Sequence, residues 1–366
     1  MNKKNIRPIA IYLPQFHPIP ENDEWWGKGF TEWRNVVKAK PQFKNHYQPH
    51  LPADLGFYDL RLEESRMAQE EMAKAYGIHG FCYYHYWFNG RRILEKPLDK
   101  KLNNPKEDLP FMLCWANENW TRAWDGGESK VLLKQNYNRE DDIKHINSLI
   151  PYFKDERYIK VQGKPVFIIY KDFAFPDIRS TLSTFRNEAS KQGMELYLCR
   201  FDRTITLPES PNELGFDAAF EFQPLTRAYL LYKKNKFLNI KSYLNYAKRF
   251  GLNIQFSQNN RFDYRKIIDI DLALPQKKYK CYPGVSPGWD NSSRRPIGRA
   301  FIFENSTPEL FLYWLIRKLQ DFKPYSDDEN FLMINAWNEW AEGNHMEPCE
   351  KWGFQYLEAL KKGLSE

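Results

Sequence analysis

Glu339 and Glu342 stand three residues apart in the segment Asn338-Glu339-Trp340-Ala341-Glu342-Gly343. On a helical turn, residues at that spacing share a face, with Cβ atoms about 5–6 Å apart. Two carboxylates so placed repel, which raises the pKa of one and leaves an acid beside a base near neutral pH. Cleavage of a glycosidic bond uses such a pair. One group protonates the leaving oxygen and the other acts as base or nucleophile, and a separation of about 5–5.5 Å goes with retained anomeric configuration. The competing reading is a solvated helix face, where Glu pairs at this spacing are common. Trp337 and Trp340 beside the pair favour catalysis.

Other polar and aromatic residues close apolar runs in the same way. One run ends in Tyr84-His85-Tyr86-Trp87 and another in Asn117-Glu118-Asn119-Trp120. Glu221 ends a third run, Trp289 follows a fourth, and Glu32-Trp33 lies in the long segment after the first. Buried polar groups cost free energy unless paired, so this many at strand ends points to a lined site rather than core. Flat aromatic faces stack on sugar rings, and indole and phenol groups bind hydroxyls. The expected substrate-binding residues are Asn117, Glu118, Asn338, Trp340, Trp289 and Tyr84, with His85, Trp87, Trp120, Glu32, Trp33 and Glu221. Each has a plainer alternative: a satisfied core histidine for His17 and His85, core packing for any one Trp, and ordinary salt bridges for Arg122, Arg294 and Arg295. Asp269-Ile270-Asp271 has the form of a sugar-nucleotide metal motif, but the pattern is short. No metal and no cofactor are expected.

These residues need a frame, and the chain supplies one. Apolar runs rich in Ile, Val, Phe and Tyr recur at Ile9–Phe16, Gly80–Phe88, Phe111–Asn117, Pro165–Lys171, Leu196–Phe201, Ala218–Phe222, Tyr279–Val285 and Phe331–Trp337. Near-continuous apolar runs are the mark of parallel strands buried on both faces. Helical stretches separate many of them. Arg61–Tyr76 ends at Gly77, and Leu310–Leu319 opens with Thr307 as N-cap and Pro308 at the first helical position. A last helix is expected at Gly353–Leu364. The alternation predicts an α/β fold, a single (β/α)8 TIM barrel over residues 1–366, whose working residues lie at the C-terminal ends of its strands. A long insertion, 223–278, separates strands six and seven as a lid or subdomain. It holds a helical stretch, Phe237–Phe250, and a polar one, Gln255–Arg265. The segment from Pro18 to Leu55 shows little regular pattern.

Composition narrows the partners. The net charge is +7, but 47 acidic residues are mixed among 54 basic ones, without the basic stripe of a nucleic-acid binder. Aromatic residues make up 16%, including 12 Trp, a surplus that suits a sugar-lined cleft. Five cysteines without a Cys-x-x-Cys pair read as buried free thiols, which with no recognisable signal peptide or transmembrane run points to the cytoplasm. The expected partner is an oligo- or polysaccharide, with peripheral association to a lipid-linked glycan at the membrane.

Asn338-Glu339-Trp340-Ala341-Glu342-Gly343, continuing to Met346-Glu347-Pro348, resembles the active-site segment of glycoside hydrolase family 99, the retaining endo-α-mannosidases and endo-α-mannanases, which are (β/α)8 barrels. Val285-Ser286-Pro287-Gly288-Trp289-Asp290 also resembles a segment of that family. Over its whole length the chain is still more similar to the WbsX-type proteins, through Tyr12-Leu13-Pro14-Gln15-Phe16-His17, Gly29-Phe30-Thr31-Glu32-Trp33 and Trp115-Ala116-Asn117-Glu118-Asn119-Trp120. WbsX-type proteins belong to O-antigen and surface-polysaccharide gene clusters and are commonly labelled glycosyltransferases. The hydrolase resemblance implies that Glu339 acts as base on the substrate's own 2-hydroxyl to give a 1,2-anhydro sugar, and that Glu342 protonates the leaving oxygen. The chain departs from the hydrolases at Ala341, where they usually have His, so mannose is not carried over. Those hydrolases also act outside the cytoplasm, which keeps a glycosyltransferase as the second reading. A non-catalytic glycan-binding protein is the third.

Overall fold

The computed structural model describes residues 5–122, 127–203, 210–224, 228–233 and 259–366. Its centre is a parallel sheet of strands β1 (Arg7–Tyr12), β2 (Gly80–Phe88), β3 (Phe111–Trp115), β4 (Lys164–Ile169), β5 (Tyr197–Asp202), β6 (Ala218–Glu221), β7 (Cys281–Tyr282 with Gly284–Val285) and β8 (Phe331–Ile334). Neighbours pair in parallel from β1 through β6, and β8 pairs with β1. The two parts of β7 face different partners: Cys281–Tyr282 pairs with β6 and Gly284–Val285 with β8. Pro283 between them has no N–H to give to a ladder, so the strand divides there while the chain runs on. Nine strand segments thus make eight staves of a nearly closed (β/α)8 barrel.

A helix follows each strand. In order they are Glu63–Ala75, Lys96–Leu102, Arg139–Lys154, Ile178–Lys191, Pro211–Leu214, Tyr264–Leu272, Pro308–Asp321 and Gln355–Gly363. Their ends follow from local chemistry. Asn138 and Thr307 accept the otherwise orphaned N–H groups of Asp141 and Leu310. Gly77, at φ +88°, supplies the left-handed residue beyond Tyr76. Strands covered by side chains inside and helices outside have no solvated face, and all nine residues of β2 are buried. All five cysteines are buried and free.

Two expectations need correction. The segment Pro18–Leu55 holds two helices, Pro20–Trp26 and Glu32–Val37, too short to show a periodic apolar face. The stretch 223–278 is not wholly an insertion, because Tyr264–Leu272 is the regular helix between β6 and β7. It packs beside Pro308–Asp321, where Asp271 accepts the Trp314 indole N–H at 2.8 Å and pairs with Lys318 at 2.9 Å. Asp269 pairs with Arg265, so Asp269-Ile270-Asp271 is helix structure rather than a metal motif. Asn260–Asp263, from the polar stretch, pairs in parallel with Phe301–Glu304. The expected helix Phe237–Phe250 lies outside the described residues.

Candidate active site

The eighth strand runs directly into the paired carboxylates. Asn338–Glu339 pairs antiparallel with Asn344–His345, and Trp340–Glu342 between them forms one 3-10 turn. The helical turn expected from the spacing is therefore this tighter one, with Glu339 at its N-cap. Side chains three apart eclipse in such a turn, so both carboxylates project to the same side. Gly343 ends the turn at φ +55°, and a Cβ there would come within 3.0 Å of the Asp290 Cβ.

Four contacts fix the turn. Asn338 accepts the Leu13 N–H at 2.7 Å and donates to the Leu13 carbonyl at 3.0 Å, tying the end of β8 to the end of β1. The Asp290 N–H donates to the Glu342 carbonyl at 2.6 Å, and the Ser293 hydroxyl to the Ala341 carbonyl at 2.6 Å. Trp340 points away from the cleft. Its indole donates to Glu347 at 2.6 Å and its ring stacks on His345 with centroids 3.8 Å apart. Glu347 also accepts Tyr58 Oη at 2.8 Å and Gln69 Nε2 at 2.6 Å, and burial pushes its pKa up to about 7.

One guanidinium joins the acids. Arg294 Nη2 lies 3.1 Å from Glu339 Oε2 and 3.0 Å from Glu32 Oε2, while Nη1 lies 3.0 Å from Glu342 Oε1. Burial pushes the Glu339 carboxyl up to about 8; the charges of Glu342 and Glu32 add to the rise and Arg294 opposes it. Burial also raises Glu342, against the pull of Arg294 and Arg295. Both carboxylates border a cleft of about 430 Å³ at the C-terminal end of the barrel.

The cleft's other walls come from the ends of the remaining strands. Tyr84, Glu118, Trp120 and Trp289 border it as the sequence suggested. Trp25, Trp26, Tyr86, Tyr170, Arg203, Phe222, Arg294 and Arg295 border it too and were not singled out as substrate-binding residues. Glu118 pairs with Lys171 and reaches an adjoining cavity beside Phe173, an aromatic ring 64% exposed.

Several expected residues stand elsewhere. β2 turns alternate side chains to opposite faces. Tyr84 and Tyr86 face the cleft, while His85 bonds His145 at 2.9 Å and Trp87 donates to Asp141 at 2.9 Å, behind the barrel wall. Trp33 is core, donating to the Tyr58 carbonyl at 2.8 Å. Glu221 faces outward to Lys318, 2.6 Å away. Asn117 ties β3 to β4 through both main-chain groups of Lys171, at 2.8 Å each. Glu32 is wholly buried beneath Arg294. Among the described residues no cluster of three or more His, Cys, Asp or Glu is placed to hold a metal ion, and no helix is long and apolar enough to cross a membrane.

The comparisons with known proteins agree with this architecture. A protein from Xanthomonas campestris pv. campestris (strain B100), named uncharacterized protein WxcX, is 40% identical over 360 residues, covering 98% of this chain and 49% of the relative. Its counterpart in strain ATCC 33913 is 39% identical over the same length. The chain thus spans about half the length of these curated relatives. Among solved structures, a glycoside hydrolase-like protein matches with a TM-score of 0.60 at 14% identity, covering 99% of this chain and 94% of that one. The GH99 endo-alpha-mannosidase from Bacteroides thetaiotaomicron matches with a TM-score of 0.56 at 13% identity, covering 98% and 96%. At these identities the likeness is one of fold. Residues 8–360 match the model of the family described as glycosyltransferase WbsX, and the chain belongs to that family of glycan-acting proteins.

Proposed function

We propose that the protein is a retaining enzyme that cleaves glycosidic bonds within a bacterial surface polysaccharide, with Glu339 and Glu342 as its catalytic pair. The observation that carries this is the single 3-10 turn that presents both carboxylates to an aromatic-walled cleft and to one guanidinium. In the first step Glu339 takes the proton of the sugar's 2-hydroxyl, whose oxygen attacks C1. The C1–O bond to the leaving group breaks as Glu342 gives that oxygen a proton. In the second step Glu342 takes a proton from water, which opens the 1,2-anhydro ring at C1, and Glu339 returns its proton to O2. Two inversions give net retention.

At about 8, the Glu339 pKa puts a proton on it near neutrality, so its base role needs that proton to leave before or as substrate binds. Arg294, shared with Glu32 and Glu342, is the group placed to stabilise the resulting carboxylate. Trp120 and Trp289 serve as sugar platforms, and Tyr84 and Glu118 as hydroxyl partners. The working substrate is a glycan, with peripheral docking to a lipid-linked form and a cytoplasmic site of action part of the same reading.

The family's description as a glycosyltransferase supports a second reading. There an acceptor hydroxyl replaces water in the second step, with an activated sugar as donor. Mass spectrometry of polysaccharide incubated with the protein, with and without sugar nucleotides, separates the two. Shorter chains without nucleotide support cleavage; chains that lengthen only with nucleotide support transfer.

A further inference from the structure

We propose that the cleft takes a glycan carrying one anionic group, a sugar carboxylate or a phosphate ester, and that Arg203 recognises it; this rests on reading the cleft as a glycan site. Arg203 follows β5 and borders the cleft that holds Glu339 and Glu342. Its guanidinium carbon lies 3.9 Å from the centroid of Tyr170 and 4.9 Å from that of Phe222, both also cleft residues. Among the described residues its Nη1 is buried without a hydrogen-bond partner, and no carboxylate forms an ion pair with it.

Two other described arginines are held differently. Arg200, three residues earlier, is held by Asp172 at 2.7 Å, and Arg294 is shared by three carboxylates. A buried charged donor left unpaired is costly, and an arginine fork matches carboxylate and phosphate geometry. The two aromatic faces fix the plane of the guanidinium beside the cleft that the residue borders.

The described charged side chains in and beside the cleft agree. Arg203, Arg294, Arg295 and Lys171 stand against Glu32, Glu118, Glu339 and Glu342. The proposed acid–base pair holds one proton between Glu339 and Glu342, so one positive charge among these described side chains is left for the ligand. A neutral sugar can offer Nη1 only an uncharged oxygen, so the site discriminates by the weaker bond as well as by the missing attraction.

The test is a glycan array printed with matched oligosaccharides that differ only in bearing a hydroxymethyl, a carboxylate or a phosphate. It is probed with the full chain carrying Glu342→Gln to stop turnover, alone and with Arg203→Gln or Arg203→Lys added. The expected result is that charged members are retained about tenfold or more over their neutral partners, the size of a charge-assisted bond. Arg203→Gln abolishes that preference, so that charged and neutral glycans are held alike, and Arg203→Lys keeps part of it. Comparing the carboxylate and phosphate spots names the group. Equal retention of neutral and charged glycans overturns the inference and leaves the glycan reading standing, as does a preference unchanged in Arg203→Gln. Retention of no glycan at all overturns both.

Discussion

The Arg294 guanidinium lies 3.1 Å from the Glu339 carboxylate, linking residues 45 positions apart in the chain. The same group reaches Glu342 and Glu32, so the electrostatics of the proposed catalytic pair depend on a cation delivered by the loop after β7.

Removing that cation leaves three carboxylates facing one another in a buried site. Arg294→Met should therefore lower stability by about 3–5 kcal/mol, as breaking a buried pair does. Adding Glu32→Gln should restore part of it. Chemical denaturation of the single and double variants measures both effects, and a fully additive loss in the double variant would contradict the shared network.

Glu339 also sets a pH dependence. Its folded pKa, about 8, lies above its ordinary value of 4.5, so the native state holds a proton that the unfolded chain releases between those values. Stability should therefore fall as pH rises through that window. Glu339→Gln removes the penalty. It should stabilise the protein on the order of 4 kcal/mol more at pH 9 than at pH 5, as read from melting curves. A variant whose advantage is the same at both pH values would refute the assignment.

The two carboxylates should differ with the leaving group. A glycosyl fluoride departs without a proton, so Glu342→Gln should keep much of its first-step rate on that substrate and lose it on an oligosaccharide. Glu339→Gln should lose both, because Glu339 is the base proposed for the 2-hydroxyl proton. The reverse pattern, measured by fluoride release, exchanges the two roles.

Glu347 is proposed as a positioning residue. It accepts from Trp340, Tyr58 and Gln69 beneath the turn, so Trp340→Phe leaves it one donor short. The expected cost is about 1–3 kcal/mol, with kcat reduced and KM little changed. Trp120→Ala or Trp289→Ala should instead raise KM, because these rings border the cleft, and should also cost some stability, because both pack partly buried against the core.

The barrel was legible because its strands are buried on both faces. Parallel strands of that kind stand out as apolar runs, and the runs at β2 and β3 begin at the observed residues. The same uniformity hid the site's sidedness. Every residue of β2 is buried, so nothing in Tyr84-His85-Tyr86-Trp87 showed which pair faces inward until the pairing fixed the pleat. Glu221 met the strand-end rule and still turns outward, where Lys318 from a distant helix neutralises it. Arg294 reads as an ordinary basic residue because its role depends on how two loops converge. Arg203 follows a strand directly, and extending the strand-end rule by one residue past β5 would have found it.

Nuclear magnetic resonance of the first product formed tests the central claim most directly. Polysaccharide substrate is incubated with wild type, Glu339→Gln and Glu342→Gln, and the anomeric signals are followed from the earliest time points. The account predicts shortened oligosaccharides whose new reducing end appears in the anomeric configuration of the parent linkage, with both variants reduced at least about a thousandfold. Products of inverted configuration, or cleavage that survives in either variant, would contradict it.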